Sequence, residues 1–183
     1  MTQTVGSLVG NILANVVQAK KFVTNTPRDR SAGKQRIQGR ISEALMSCSA
    51  TQEDTYHRLK DCCESPIECL AFVALLCHFP IAHAVRKRRA LREIPEWRIA
   101  IVPQMWHAGY RLDFAVIRRD IRATFALECD GRKFHRHNSK RDNDRTVDLW
   151  KSGVLVCRAD GSALYRNPIA AIEPFARKVM SNG

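Results

Sequence analysis

The sequence predicts an α/β fold: a mixed sheet flanked by helices in the order αβββαβα, preceded by a helical extension. Three observations carry this. Between residues 97 and 129 lie three short apolar runs separated by turn residues, the pattern of consecutive strands. A polar, helix-forming stretch then ends at a glycine and is followed by the apolar run "VLVCR". Strongly apolar helical segments stand before and after this block, where they can cover the sheet.

In chain order, residues 5 to 22 suit an amphipathic helix of peripheral character. The stretch "TNTPRDRSAGKQRIQGR" is polar and basic and carries Pro and Gly, which predicts a loop or linker, or an arm that grips phosphate. A second helix is expected over about 40 to 60. "SPIECLAFVALLCHF" then opens with a strong start signal: Ser65 as N-cap, Pro66 at the first helical position and Glu68 completing a capping box. Beyond Glu68 the segment is apolar all round, as a buried helix is. "AVRKRRALREIPEW" is a dense basic segment, predicted helical up to Pro95, either as a solvated face or as the lining of a nucleic-acid channel.

"WRIAIVPQMWH" and "YRLDFAVI" read as two strands joined near "AGY", and "RATFALEC" as a third. "SKRDNDRTVDLWKSG" is a helix capped at Gly153. After "VLVCR", Asn167 and Pro168 start a last helix, with Ile169, Ile172, Ala176 and Val179 on one face. Trp97, Trp106 and Trp150 are expected in the core, with Trp106, near a hairpin tip, the candidate for base stacking.

The totals narrow the functional classes. The 183 residues suffice for one domain with a proper core and a small helical appendage. Thirty Lys and Arg against 18 Asp and Glu give a net charge of +12, which points to a polyanionic partner, nucleic acid before an anionic membrane. Seven cysteines without a CxxC pair suit a reducing cytosol, with no disulfide framework and no structural zinc. The N-terminus is a poor signal peptide and the longest apolar run is too short to span a bilayer, so a soluble, cytoplasmic protein is expected.

Against this basic background, "FALECDGRKFH" is anomalous. Glu128 and Asp130 end an apolar strand and, by strand alternation, share one face while Cys129 takes the other. Asp113 lies within "RLDFAV" and can join them if the strands are neighbours. Two carboxylates ~4 Å apart repel by ~4 kcal/mol at a protein surface, so such a group calls for a cation or a proton. Oxygen ligands select Mg²⁺ or Mn²⁺, which can polarise a phosphate and acidify a water. His135 or Lys133 could relay a proton or stabilise charge. Scattered surface ion pairs are the competing reading.

"YRLDFAV", "LECDGRKFH" and "DNDRTVDLWKSGVLVCR" together resemble the very-short-patch-repair (Vsr-like) branch of the PD-(D/E)XK endonuclease superfamily. The pattern falls in order on Asp113, Glu128, Asp130, Gly131, His135, Asp142, Arg145, Leu149, Gly153 and Arg158, and the segments upstream bring in Glu68 and Gln104. The resemblance covers roughly 64 to 180, the expected nuclease-like domain; residues 1–60 form the helical, basic extension. It implies a restriction-endonuclease-like core and Mg²⁺-dependent phosphodiester cleavage, with Asp113, Glu128 and the Cys129 carbonyl as metal ligands. The superfamily's usual Lys, two positions after the Glu, is Asp130 here, leaving Lys133 and His135 as replacements, His135 preferred.

Glu68 is either the helix cap or an active-site carboxylate. Asp142, Arg145 and Leu149 share a helix face, so Arg145 either pairs with Asp142 or turns inward to phosphate or to Glu128. Arg132, Arg136, Arg145, Lys87, Arg88, Arg89 and Gln104 are the candidate nucleic-acid contacts. DNA is the favoured substrate, with RNA possible. The alternatives are a non-cleaving RNA-binding module like the RAP domains, or a subunit of a transposition or defence complex. A homodimer, or a protein partner docked on residues 1–60, is also possible.

Overall fold

In the computed structural model, residues 30–130 and 139–181 are described. The chain divides into two compact units, residues 1–35 and 36–183, and the architecture below is that of the second. The expected helix over 5 to 22 lies outside the described residues.

The elements are α1 (Arg30–Leu45), α2 (Ala50–Leu59), α3 (Pro66–His78), β1 (His83–Ala84), β2 (Ile99–His107), β3 (Tyr110–Arg118), β4 (Ala123–Asp130), α4 (Ser139–Lys151), β5 (Val154–Asp160), α5 (Gly161–Arg166) and α6 (Pro168–Ser181). The five strands lie in sequence order. β2, β3 and β4 form an antiparallel meander, while β1 joins β2 and β5 joins β4 in parallel. A parallel neighbour needs a crossover, and α4 supplies it between β4 and β5. This is the predicted mixed sheet between helices, a restriction-endonuclease-like α/β fold.

Alternation along the strands sends their side chains to two cores. Phe114, Val116, Phe125 and Leu127 meet α3 and α6 on one face. Ala115, Ile117 and Ala126 meet Leu149 of α4 on the other, with Leu91 beside them. Helix α3 is the centre of the first core: Leu70 through Leu76 are essentially inaccessible, as an all-apolar helix demands.

Three local expectations are corrected, and one further element is added. The stretch read as a linker is helical from Arg30 onward. Ile37, Ile41, Ala44 and Leu45 form an apolar stripe on the core, and Arg40 donates to the carbonyls of Tyr165 and Arg166 at the end of α5, so tertiary packing outweighs the glycines. The single helix expected over 40 to 60 is two helices, because Ser49 and Gln52 build a reciprocal capping box that starts α2 afresh. The basic segment before Pro95 is not an α-helix: His83–Ala84 pair with β2, and Arg88–Glu93 form a 3₁₀ turn. The tighter turn aligns Leu91 with Ile94, three residues on, and both pack on the sheet. Helix α5, capped by the Asp160 carboxylate on the Ala163 N–H at 2.8 Å, has no counterpart in the sequence reading.

Candidate active site

The site is built where the antiparallel ladder ends. β3 and β4 pair in register down to Phe114 opposite Leu127; the next rung places Asp113 opposite Glu128. On either side the same rung continues to Gln104 in β2, between the pairs made by Pro103 and Met105, and to Arg158 in β5, the partner of Glu128. Gln104, Asp113, Glu128 and Arg158 therefore stand in one row across four strands. Asp113 takes over where the ladder stops: its Oδ2 accepts from the Cys129 N–H at 2.7 Å.

Glu68 arrives from the first turn of α3. Ser65 caps the helix as predicted, its hydroxyl accepting from the Glu68 N–H at 3.2 Å. The box is displaced by one residue, however. Glu68 Oε2 accepts from the Glu64 N–H at 2.8 Å rather than from the N-cap, and Oε1 accepts from the Ser65 hydroxyl at 2.8 Å. The remaining capacity of Oε2 goes to the Gln104 side-chain amide, at 2.7 Å. Glu68 is thus both cap and site residue.

Gln104 makes this contact from a left-handed backbone, φ +48, uncommon for a residue with a Cβ and costing of order 1–3 kcal/mol. Alternation slips at this point. Ala100 and Val102 before it and Met105 after it all belong to the core beneath α4, while the Gln104 amide meets α3. Its Oε1 is buried without a hydrogen-bond partner among the described residues.

Glu128 is only 6% exposed, and its partner is Arg145 of α4, whose Nη2 donates to Oε1 at 2.9 Å and to the Arg111 carbonyl at 2.8 Å. Leu149, one turn further on, is buried, so this face of α4 turns inward and Arg145 holds Glu128. The guanidinium also lies 5.9 Å from the Tyr110 ring centre. Tyr110 in turn donates its hydroxyl to Asp148 at 2.8 Å. Neither Tyr110 nor Asp148 was singled out by sequence; Asp148, three residues after Arg145, was the available signal.

Electrostatics set the group apart from surface pairs. Burial, then the Asp113 charge, push the Glu128 carboxyl up to about 7 despite Arg145. Asp113 is also raised, by burial first and then, among charges, by Glu68 and Asp130. Asp130 pairs with Arg158 at 3.8 Å. Among the described residues, no set of three His, Cys, Asp or Glu side chains is gathered tightly enough to hold a metal ion. The predicted ligand set has two carboxylates and one main-chain carbonyl. Its fit rests on the donor chemistry: hard oxygens, mutually repelling, with an orphaned amide oxygen alongside.

Of the other predicted residues, Arg132, Lys133, His135 and Arg136 lie outside the described residues. Asp142 falls at the start of α4. Lys87, Arg88 and Arg89 are exposed at the 3₁₀ turn, on the α4 side of the sheet. Trp150, expected in the core, is 66% exposed, because the inward face of α4 belongs to Arg145 and Leu149. Trp106, at the end of β2, is 69% exposed, and Trp97 is partly buried with Arg119 over its ring at 5.6 Å.

The mixed five-stranded sheet between helices is a restriction-endonuclease-like α/β fold. A family model, REase_MTES_1575, of a restriction-endonuclease-like family, matches residues 87–179, just over half of the chain. The chain belongs to this family. No curated protein and no solved structure matches the chain.

Proposed function

We propose that this protein is a metal-dependent endonuclease that hydrolyses phosphodiester bonds, with DNA as its substrate. The observation that carries the reading is the convergence of Glu68, Asp113 and Glu128 at one end of the sheet of a protein with net charge +12. Buried, mutually repelling carboxylates are costly in any fold, and in a chain whose positive charge favours a polyanionic partner a cation between them and a phosphate accounts for both features. The order E-x-D-G, then His, then D-x-x-R resembles that of the very-short-patch-repair branch and supports this reading.

Asp113 and Glu128 would hold a Mg²⁺ or Mn²⁺ ion together with the Cys129 carbonyl. Such an ion, when bound, polarises the scissile phosphate and lowers the pKa of an attacking water. The remaining work falls to the chain. The Cys129 N–H fixes Asp113, and Gln104 with Ser65 fixes Glu68 beside it. Asp130 stands in place of a charge-stabilising lysine, so the proton relay or charge stabilisation is assigned to His135, with Lys133 as the other candidate. Arg132, Arg136 and the Lys87–Arg89 run would grip the flanking phosphates.

Supercoiled, linear and single-stranded DNA, and RNA, incubated with Mg²⁺, Mn²⁺ or EDTA, test this directly. Cleavage requires the metal and is lost, by 10²-fold or more as is typical when such an electrostatic group is removed, in Asp113→Ala and Glu128→Ala. Salt-sensitive binding without cutting under any metal would leave a nucleic-acid-binding module instead.

A further inference from the structure

We propose that Arg145 is the resident counter-cation of the carboxylate site, and that a divalent ion enters only in competition with it. The inference rests on the metal-site reading above and adds how access to that site is regulated. Asp113, Glu68 and Glu128 all have donors, but these differ in kind. Asp113 is met by a main-chain N–H, and Glu68 by two N–H groups and a hydroxyl. Glu128 is met by a full positive charge, at 2.9 Å, on a carboxylate whose side chain is 8% exposed.

The guanidinium is braced. The nitrogen that serves Glu128 also donates to the Arg111 carbonyl, and the guanidinium lies over Tyr110. Tyr110 is pinned by its hydroxyl to Asp148, on the same helix as Arg145. Helix, arginine, ring and carboxylate close a loop that holds the cation over the site. Yet the arginine side chain is itself 25% exposed, so it has a path outward. A second positive charge at Glu128 would be repelled by Arg145 where it now stands. A guanidinium displaced from Glu128 presents a planar fork of donors suited to a phosphate, so metal entry and substrate gripping would be linked through one side chain.

A purely structural Arg145 and a competing Arg145 differ in their effect on metal affinity. Titration calorimetry with Mn²⁺ and with Mg²⁺, on the full chain at mildly alkaline pH, reads that affinity without any substrate. For Arg145→Met, which keeps bulk and loses charge, the expected result is metal binding tighter by on the order of tenfold, a usual size for coupling between two ligands. Arg145→Lys keeps the charge and is expected near wild type. Tyr110→Leu removes the brace from a partly buried position and shifts affinity in the same direction by a smaller factor. It decides the matter if Arg145→Met does not melt cooperatively. Unchanged or weaker binding in Arg145→Met and Tyr110→Leu, with wild type still taking up metal, overturns the competition. Absence of metal binding in wild type and variants alike overturns the metal site itself, and the competition with it.

Discussion

Glu128 makes the stability of the metal-free protein depend on pH in an unusual direction. Its carboxyl is raised from 4.5 to about 7, by burial and then by Asp113. Below the unfolded value both states are protonated and nothing is lost. Between the two values the unfolded chain ionises while the fold keeps its proton, so stability falls as pH rises, and above the folded value the deficit is constant. A shift of this size corresponds to ~3 kcal/mol. Glu128→Gln should therefore stabilise the protein in EDTA above neutral pH and flatten its stability between roughly pH 4.5 and 7. Urea melts across that range would refute this if the variant tracked wild type. At Ser65, whose hydroxyl both caps α3 and bonds Glu68, substitution by alanine is expected to cost about 1 kcal/mol. The same melts at fixed pH measure it. The cap was legible in four consecutive letters, S-P-I-E. The left-handed Gln104 was not, since nothing in its neighbours marks a residue forced to reach across to α3.

Helix α4 shows how an element delivers chemistry. Leu149 anchors it to the sheet and Gly153 ends it, at φ +83 with the Trp150 carbonyl accepting from the Gly153 N–H at 2.9 Å. A Cβ at Gly153 would meet nothing within 4 Å, so Gly153→Ala should cost only the backbone penalty, about 1 kcal/mol. Leu149→Ala leaves a cavity and should cost about 2–5 kcal/mol. It should also weaken metal-dependent cleavage more than Gly153→Ala does, because it loosens the face that carries Arg145. Thermal denaturation and cleavage rates of the pair separate the two effects. Both ends of this helix were readable from spacing, as were the three strands of the meander, whose alternation is a local property. β1 was not, because two residues carry no periodicity and owe their pairing to β2. Nor was α1 as a helix, since its glycines argue against it and its apolar stripe is rewarded only by the core it meets.

For the whole molecule, the net charge of +12 predicts binding to nucleic acid that weakens steeply with salt, as condensed counterions are displaced. If Lys87, Arg88 and Arg89 each neutralise one phosphate, replacing all three with alanine should reduce the slope of log K against log salt by about 2–3 on duplex DNA. Fluorescence anisotropy over a salt series would show an unchanged slope if that run faces away from the substrate. Among the described residues no helix is long and apolar enough to cross a membrane.

By itself, the sequence determined the order of the elements, the apolar faces of the sheet, the buried helix α3, and the strands on which Asp113 and Glu128 fall. These follow from periodicity, caps and turns, which act over a few residues. Only the tertiary structure decided that Gln104, Asp113, Glu128 and Arg158 share a rung, that Glu68 reaches Gln104, and that Arg145 turns to Glu128 rather than to solvent. Those relations join residues 17 to 36 positions apart in the hydrogen bonds that make them. They depend on strand register and helix docking, which the core sets as a whole and no local pattern encodes.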